Sequence, residues 1–99
     1  MAIIEFDTGD AGLVAEEAGT GARTFVLLHG IGMGRTIYGD LIEQLGDAHT
    51  IAIDLPGYGA APEPGRTPTI EQRADIVATF LRTRERVGAE MVLVGHSMG

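Results

Sequence analysis

The sequence predicts an α/β fold built on a mainly parallel sheet, and three observations predict it. Short apolar runs of strand length alternate with longer segments whose apolar residues recur at helical spacing. The resulting order, β-β-β-α-β-α-β, alternates helices with strands after an initial hairpin, the pattern of parallel strands joined by crossover helices. Clusters rich in glycine and proline separate these segments.

Residues 2–6 and 12–17 read as two short strands, divided by the turn-type cluster Asp7-Thr8-Gly9-Asp10. Gly19-Thr20-Gly21 breaks the pattern. Residues 24–28 include the apolar run Phe25-Val26-Leu27-Leu28, expected of a strand buried on both faces. A helix is predicted over 36–46, where Tyr38, Leu41, Ile42 and Leu45 recur at helical spacing and Gly46 can act as the stop. Residues 49–54 are the next strand, carrying β-branched Thr50, Ile51 and Ile53. A loop dense in glycine and proline covers 55–68. Thr69 and Gln72 fit a capping box. The helix they open presents Ile70, Ala74, Val77 and Leu81 on one stripe and is expected to end at Gly88. Residues 90–94 form the last strand, which runs into Gly95.

Composition narrows the function classes. The 99 residues suffice for one domain, spanning 1–99, and not for two. Hydrophobic residues make up 44%, ordinary for a globular protein, and no apolar run approaches the ~18 residues of a membrane span. No signal-peptide pattern opens the chain, so a cytoplasmic location is the default expectation. Cysteine is absent, which excludes thiol catalysis. A net charge of −7 argues against nucleic acid as a partner, because backbone binding needs a basic patch. Arg82, Arg84 and Arg86 are the one basic cluster, and they read as a solvated helix end where cations complement the dipole. His29, His49 and His96 are widely spaced, without acidic or cysteine partners at ligand spacing, so no metal site is expected. No cofactor is expected either.

The chemistry is carried by Gly95-His96-Ser97-Met98-Gly99. Gly-x-Ser-x-Gly directly after a buried strand has the form of a nucleophile elbow. A sharp strand-to-helix turn must expose the serine hydroxyl at its tip, and side chains two positions away on either side would clash. Gly95 and Gly99 occupy those positions. The Met98 amide can then face a developing oxyanion. Ser97 is the only serine in a chain with 15 glycines, so chance would flank it this way about 2% of the time. A second amide donor is needed beside the nucleophile. The loop His29-Gly30-Ile31-Gly32, after the strand 24–28, can supply one, since its glycines let backbone approach a substrate closely. A further turn, Asp54-Leu55-Pro56-Gly57-Tyr58-Gly59, follows the strand 49–54.

In this order and at these separations, the three motifs resemble those of the α/β-hydrolase superfamily. The resemblance covers the whole chain but only about the first third of that fold. It implies an incomplete sheet of the α/β-hydrolase type, with strand order 1-2-4-3-5. It implies Ser97 as nucleophile and the amides of Ile31 and Met98 as the oxyanion hole. His29 would shape the loop near the site, with Gly30, Gly32, Gly95 and Gly99; His96 would be a packing or loop residue; Asp54 would position its loop from a strand end. The family's chain order is serine, acid, histidine. The acid, the histidine and the lid would therefore all follow Ser97. On this view the 99 residues alone are inactive, need a C-terminal segment or a complementing chain, and leave an open apolar edge at the fifth strand.

The reaction implied is hydrolysis of a carboxylic ester or related small acyl substrate through an acyl-enzyme. Serine at the elbow argues against the branches that use aspartate there, the dehalogenases and epoxide hydrolases. Gly-His-Ser-Met-Gly resembles the elbow of many esterases and monoacylglycerol lipases, and also occurs in acyltransferases, C–C bond hydrolases and cofactor-free haloperoxidases. Two rival readings exist. A non-catalytic relative could keep the fold and bind a ligand or partner. A dinucleotide-binding module would use Gly30-Ile31-Gly32-Met33-Gly34, with Asp54, 20 residues beyond Gly34, on the ribose. That fingerprint requires glycine where Arg35 stands, and it leaves the elbow unexplained.

Overall fold

A computed structural model describes residues 2–9, 11–30, 33–66, 68–84 and 91–95. Five strands form one sheet: β1 (Ala2–Asp7), β2 (Gly12–Ala18), β3 (Thr24–Leu28), β4 (His49–Asp54) and β5 (Met91–Gly95). Their order is β1-β2-β4-β3-β5. The β1–β2 and β2–β4 pairs are antiparallel, while β3 runs parallel to both β4 and β5. This strand order is the one the resemblance implies.

Side chains alternate between the two faces of the sheet, and a helix covers each face. On one face Leu13, Ala15, Val26, Ile51 and Ile53 pack against Ile76, Val77 and Phe80 of α2 (Ile70–Arg82). On the other, Leu27 and Ala52 pack against Tyr38, with Ile42 of α1 (Gly39–Gln44) beside them. All six residues of β4 are buried, as its central place between covered faces requires.

The helices differ from expectation in three ways. The segment predicted as one helix over 36–46 is a 3₁₀ turn, Arg35–Tyr38, followed by α1. Two contacts set the tighter winding: the Arg35 amide donates to Asp54, and the Tyr38 hydroxyl donates to the Leu28 carbonyl at 2.5 Å. Gly46 does end the segment, at φ +64°.

The capping box of α2 forms as read, with Thr69 Oγ1 accepting from the Gln72 amide at 3.1 Å and Gln72 Oε1 from the Thr69 amide at 2.8 Å. The helix stops at Arg82, however, not at Gly88, which lies outside the described residues. The Thr83 hydroxyl and amide both turn back to the Phe80 carbonyl, tightening and closing the last turn. The stripe read from the sequence is only partly the one that enters the core. Ile76, Val77 and Phe80 enter the core, whereas Ile70 is 62% exposed. Ile70, Ala74, Val77 and Leu81 line one wall of an apolar groove of about 510 Å³, with Met91 and Leu93 of β5 opposite. Helix α2 thus carries two adjacent apolar stripes, and the period alone does not say which one meets the sheet.

Candidate active site

The parallel register fixes where chemistry can gather. Leu28 pairs with Gly95, the last residues of β3 and β5. The last residues of β3 and β5 therefore lie side by side at the same end of the sheet. Among the residues of the glycine loop and the elbow, His29, Gly30 and Gly95 are described; Ile31, Gly32, His96, Ser97, Met98 and Gly99 lie outside the described residues.

His29 is 1% exposed and both ring nitrogens are engaged. Nε2 accepts from the Leu55 amide at 2.9 Å, so the proton of the neutral ring sits on Nδ1 and is donated to the Gly30 carbonyl at 2.8 Å. The Tyr58 ring meets the imidazole edge-on, with centroids 5.2 Å apart. His29 thereby joins the loop after β3 to the loop after β4.

Asp54 makes the second tie. It closes β4 and is 1% exposed. Oδ1 accepts from the Arg35 amide at 2.6 Å; Oδ2 accepts from the Ala60 amide at 3.1 Å and from the Arg35 guanidinium. Arg35 Nε reaches Glu16 Oε1 at 3.0 Å. The register explains the arrangement: Val14 stands opposite Asp54 and Glu16 opposite Ala52, so the two carboxylates lie diagonally on one face. A cation between them offsets their repulsion. Burial alone would lower the Arg35 pKa, but hydrogen bonds and charge from Asp54 and Glu16 outweigh it and hold the group above its ordinary value. The loop is shaped to this carboxylate. Gly59 sits at φ +53°, and a Cβ there would stand 2.2 Å from Asp54 Oδ1. With both its oxygens engaged and the side chain 1% exposed, Asp54 is out of reach of a ribose hydroxyl.

A third cluster lies at the opposite end of the strands. Thr24 and His49 open β3 and β4 and pair in register. Thr24 Oγ1 lies 2.8 Å from His49 Nδ1, and His49 Nε2 lies 2.5 Å from Glu17 Oε2. Hydroxyl, imidazole and carboxylate are in triad-like sequence, but His49 is 0% and Thr24 1% exposed, so a substrate cannot reach them. Arg84 also engages Glu17. This corrects the picture of Arg84 as part of a solvated helix end: it lies beyond the end of α2 and folds back onto β2. Burial would raise the Glu17 pKa, but the His49 hydrogen bond and the Arg84 charge outweigh it and lower the group. Sequence spacing gives His49 no acidic partner; the antiparallel pairing of β2 with β4 provides one.

Comparison with known proteins settles the family. Residues 25–99 match the model of the alpha/beta hydrolase family. The chain belongs to the α/β-hydrolase family. It is 34% identical over 94 residues to the 2-(acetamidomethylene)succinate hydrolase of Mesorhizobium japonicum, covering 94% of this chain and 33% of that enzyme. It is 38% identical over 89 residues to the dihydrolipoyllysine-residue acetyltransferase component of the acetoin cleaving system of Cupriavidus necator, covering 82% of this chain and 21% of that protein. Among solved structures, a thermophilic esterase from Thermogutta terrifontis superposes with a TM-score of 0.82 at 29% identity, over 99% of this chain and 37% of the esterase. The chain thus spans a third or less of the length of these two sequence relatives. Among the described residues of this α/β-hydrolase chain, no three His, Cys, Asp or Glu side chains are grouped to hold a metal ion, and no helix is long and apolar enough to cross a membrane.

Proposed function

We propose that this chain supplies the nucleophile and the oxyanion donors of a serine hydrolase that cleaves a carboxylic ester or related acyl compound. The observation that carries this reading is the pairing of Leu28 with Gly95. The two strands that precede the motifs end side by side, which supports a site where nucleophile and oxyanion amides converge. Ser97 attacks the substrate carbonyl, the amides of Ile31 and Met98 receive the negative charge, and the acyl-enzyme is released by water. His29 acts as a loop-shaping residue in this scheme and not as the base, since its two ring nitrogens are committed to Gly30 and Leu55. Gly30, Gly32, Gly95 and Gly99 keep the backbone close to the substrate. The names of two relatives, a hydrolase and an esterase, support the reaction class.

The base and its acid are assigned to sequence beyond the third that aligns with the hydrolase relative, or to a complementing chain. Topology supports this. Strand connections in parallel sheets are right-handed. A strand added beside β5 would therefore carry its connection over the face that holds α2, across Met91 and Leu93, which line the apolar groove. The 99 residues alone are accordingly expected to be inactive.

The test is ester turnover by the intact protein that carries this chain. A rapid burst of alcohol release, followed by slower steady turnover, is expected as the acyl-enzyme forms. Ser97→Ala is expected to lower kcat by about 10⁴-fold or more. Turnover unchanged in Ser97→Ala sinks the proposal.

A further inference from the structure

We infer that the groove between α2 and β5 is a docking surface for an amphipathic helix of the polypeptide that completes the enzyme, and that Arg73 and Arg82 receive acidic side chains of that helix. The inference rests on the serine-hydrolase reading above in one respect, that further polypeptide completes the enzyme. Its basis is the lining. The groove, of about 510 Å³, has apolar walls and leaves Ile70 62% and Leu93 58% exposed. Apolar side chains gathered in this way mark a surface that another element covers. Two cations interrupt them, Arg73 near the start of α2 and Arg82 at its end. Among the described residues no acidic side chain lines the groove, although the chain has 14 Asp and Glu against 7 Lys and Arg. Neither arginine is ion-paired among the described residues. Arg73 stands over the Tyr58 ring, 5.9 Å from its centroid, and its Nε is buried without a hydrogen-bond partner. The groove thus combines apolar surface with uncompensated positive charge.

Shape selects a helix. A groove lined by apolar side chains offers no backbone hydrogen bonds, so a segment that fills it must satisfy its own, as a helix does. Helix α2 has 13 residues and so is about 20 Å long at a rise of about 1.5 Å per residue. Ala74 and Ala78 lie one turn apart on the groove wall, and their small side chains let a second helix pack at an axial distance of about 8 Å. From position 73 to position 82 the helix rises about 13 Å, which sets the spacing of the acidic partners. A carboxylate at each end of the docked apolar face then meets a guanidinium in a charge-assisted pair. The right-handed connection from β5 crosses this same face, which makes the occupant part of the same molecule and not a second copy.

The experiment measures maleimide labelling of Ala78→Cys in the intact protein, with Thr79→Cys, on the exposed side of α2, as the open reference. The 99 residues contain no cysteine, so peptide mapping reports the introduced thiol. Ala78→Cys is expected to react about 100-fold or more slowly than Thr79→Cys, because its labelling waits for local opening. This protection is expected to be the same at every protein concentration. Reversing both charges, with Arg73→Glu and Arg82→Glu together, is expected to speed Ala78→Cys labelling by about tenfold at low salt and by less in concentrated salt. If that double variant does not fold, Arg82→Gln alone, at the exposed end of α2, is expected to show a smaller change of the same sign. Equal labelling of the two thiols overturns the inference, because the groove is then open. Protection that grows with protein concentration overturns it in favour of a second copy. Protection untouched by removing the positive charge overturns the acidic pairing and with it the stated occupant. Fluorophosphonate labelling of Ser97 keeps the two readings apart. A labelled Ser97 beside an open groove leaves the serine-hydrolase reading standing, and a protected, charge-sensitive groove without Ser97 labelling leaves the docking surface standing.

Discussion

At the residue scale, the buried polar groups do different work at the two ends of the strands. His29 and Asp54 tie loops at the C-terminal end, beside the proposed site, while Glu17, His49 and Arg84 brace the other end. The brace makes a pH prediction with a definite sign. The folded pKa of Glu17 is lowered, so the unfolded chain binds the proton more readily and stability rises with pH through this window. Its contribution is full above the ordinary glutamate range and is lost as pH falls through the lowered value. Glu17→Ala in the intact protein is expected to cost about 1–3 kcal/mol at neutral pH, because it strands a buried histidine. The deficit is expected to shrink in acid. Denaturant titrations of both proteins at several pH values check this, and a deficit independent of pH contradicts it. None of these pairs was legible in the sequence: Glu17 and His49, or Arg35 and Asp54, meet only because strand register places them together.

At the element scale, strands were more legible than helices. The five strands lie where alternation and β-branched runs put them, within a residue or so at their ends. Buried runs bounded by glycine leave few other options. The helices were less determined. The capping box and Gly46 are local signals and both operate. The 3₁₀ start at Arg35 and the early stop at Arg82 depend on Asp54 and on the Thr83 turn. The stripe read from the sequence lines the groove and a second one enters the core, because two apolar stripes satisfy one period. The structure puts Phe80 at its centre, fully buried and 5.5 Å from the Phe6 ring. Phe80→Ala is therefore expected to destabilise the intact protein by about 3–5 kcal/mol. Ile70, on the stripe read from the sequence, is 62% exposed. A loss below about 1 kcal/mol for Phe80→Ala in denaturant unfolding contradicts the packing described.

At the scale of the whole molecule, the sheet is asymmetric. Strand β4 is buried throughout, whereas Met91, Val92 and Leu93 of β5 are exposed, with Leu93 at 58%. Among the described residues β5 pairs with β3 alone. An apolar strand with a free edge templates association. The 99-residue polypeptide produced by itself is thus expected to associate with rising concentration and to melt without a cooperative transition. Size-exclusion chromatography and calorimetry test this, and a monodisperse, cooperatively unfolding monomer contradicts it. The same asymmetry separates what the sequence could show of the site from what it could not. The elbow motif and the glycine loop are local patterns, and the parallel order that brings Leu28 beside Gly95 follows from alternating helices and strands. The tethers at Asp54 and His29 are long-range and had no local sign beyond the motif residues. Mass-spectrometric mapping of a fluorophosphonate adduct on the intact protein tests whether Ser97 is an activated nucleophile. A single adduct is expected on the peptide containing Ser97, abolished in Ser97→Ala; no adduct, or one that persists in Ser97→Ala, contradicts the proposed nucleophile.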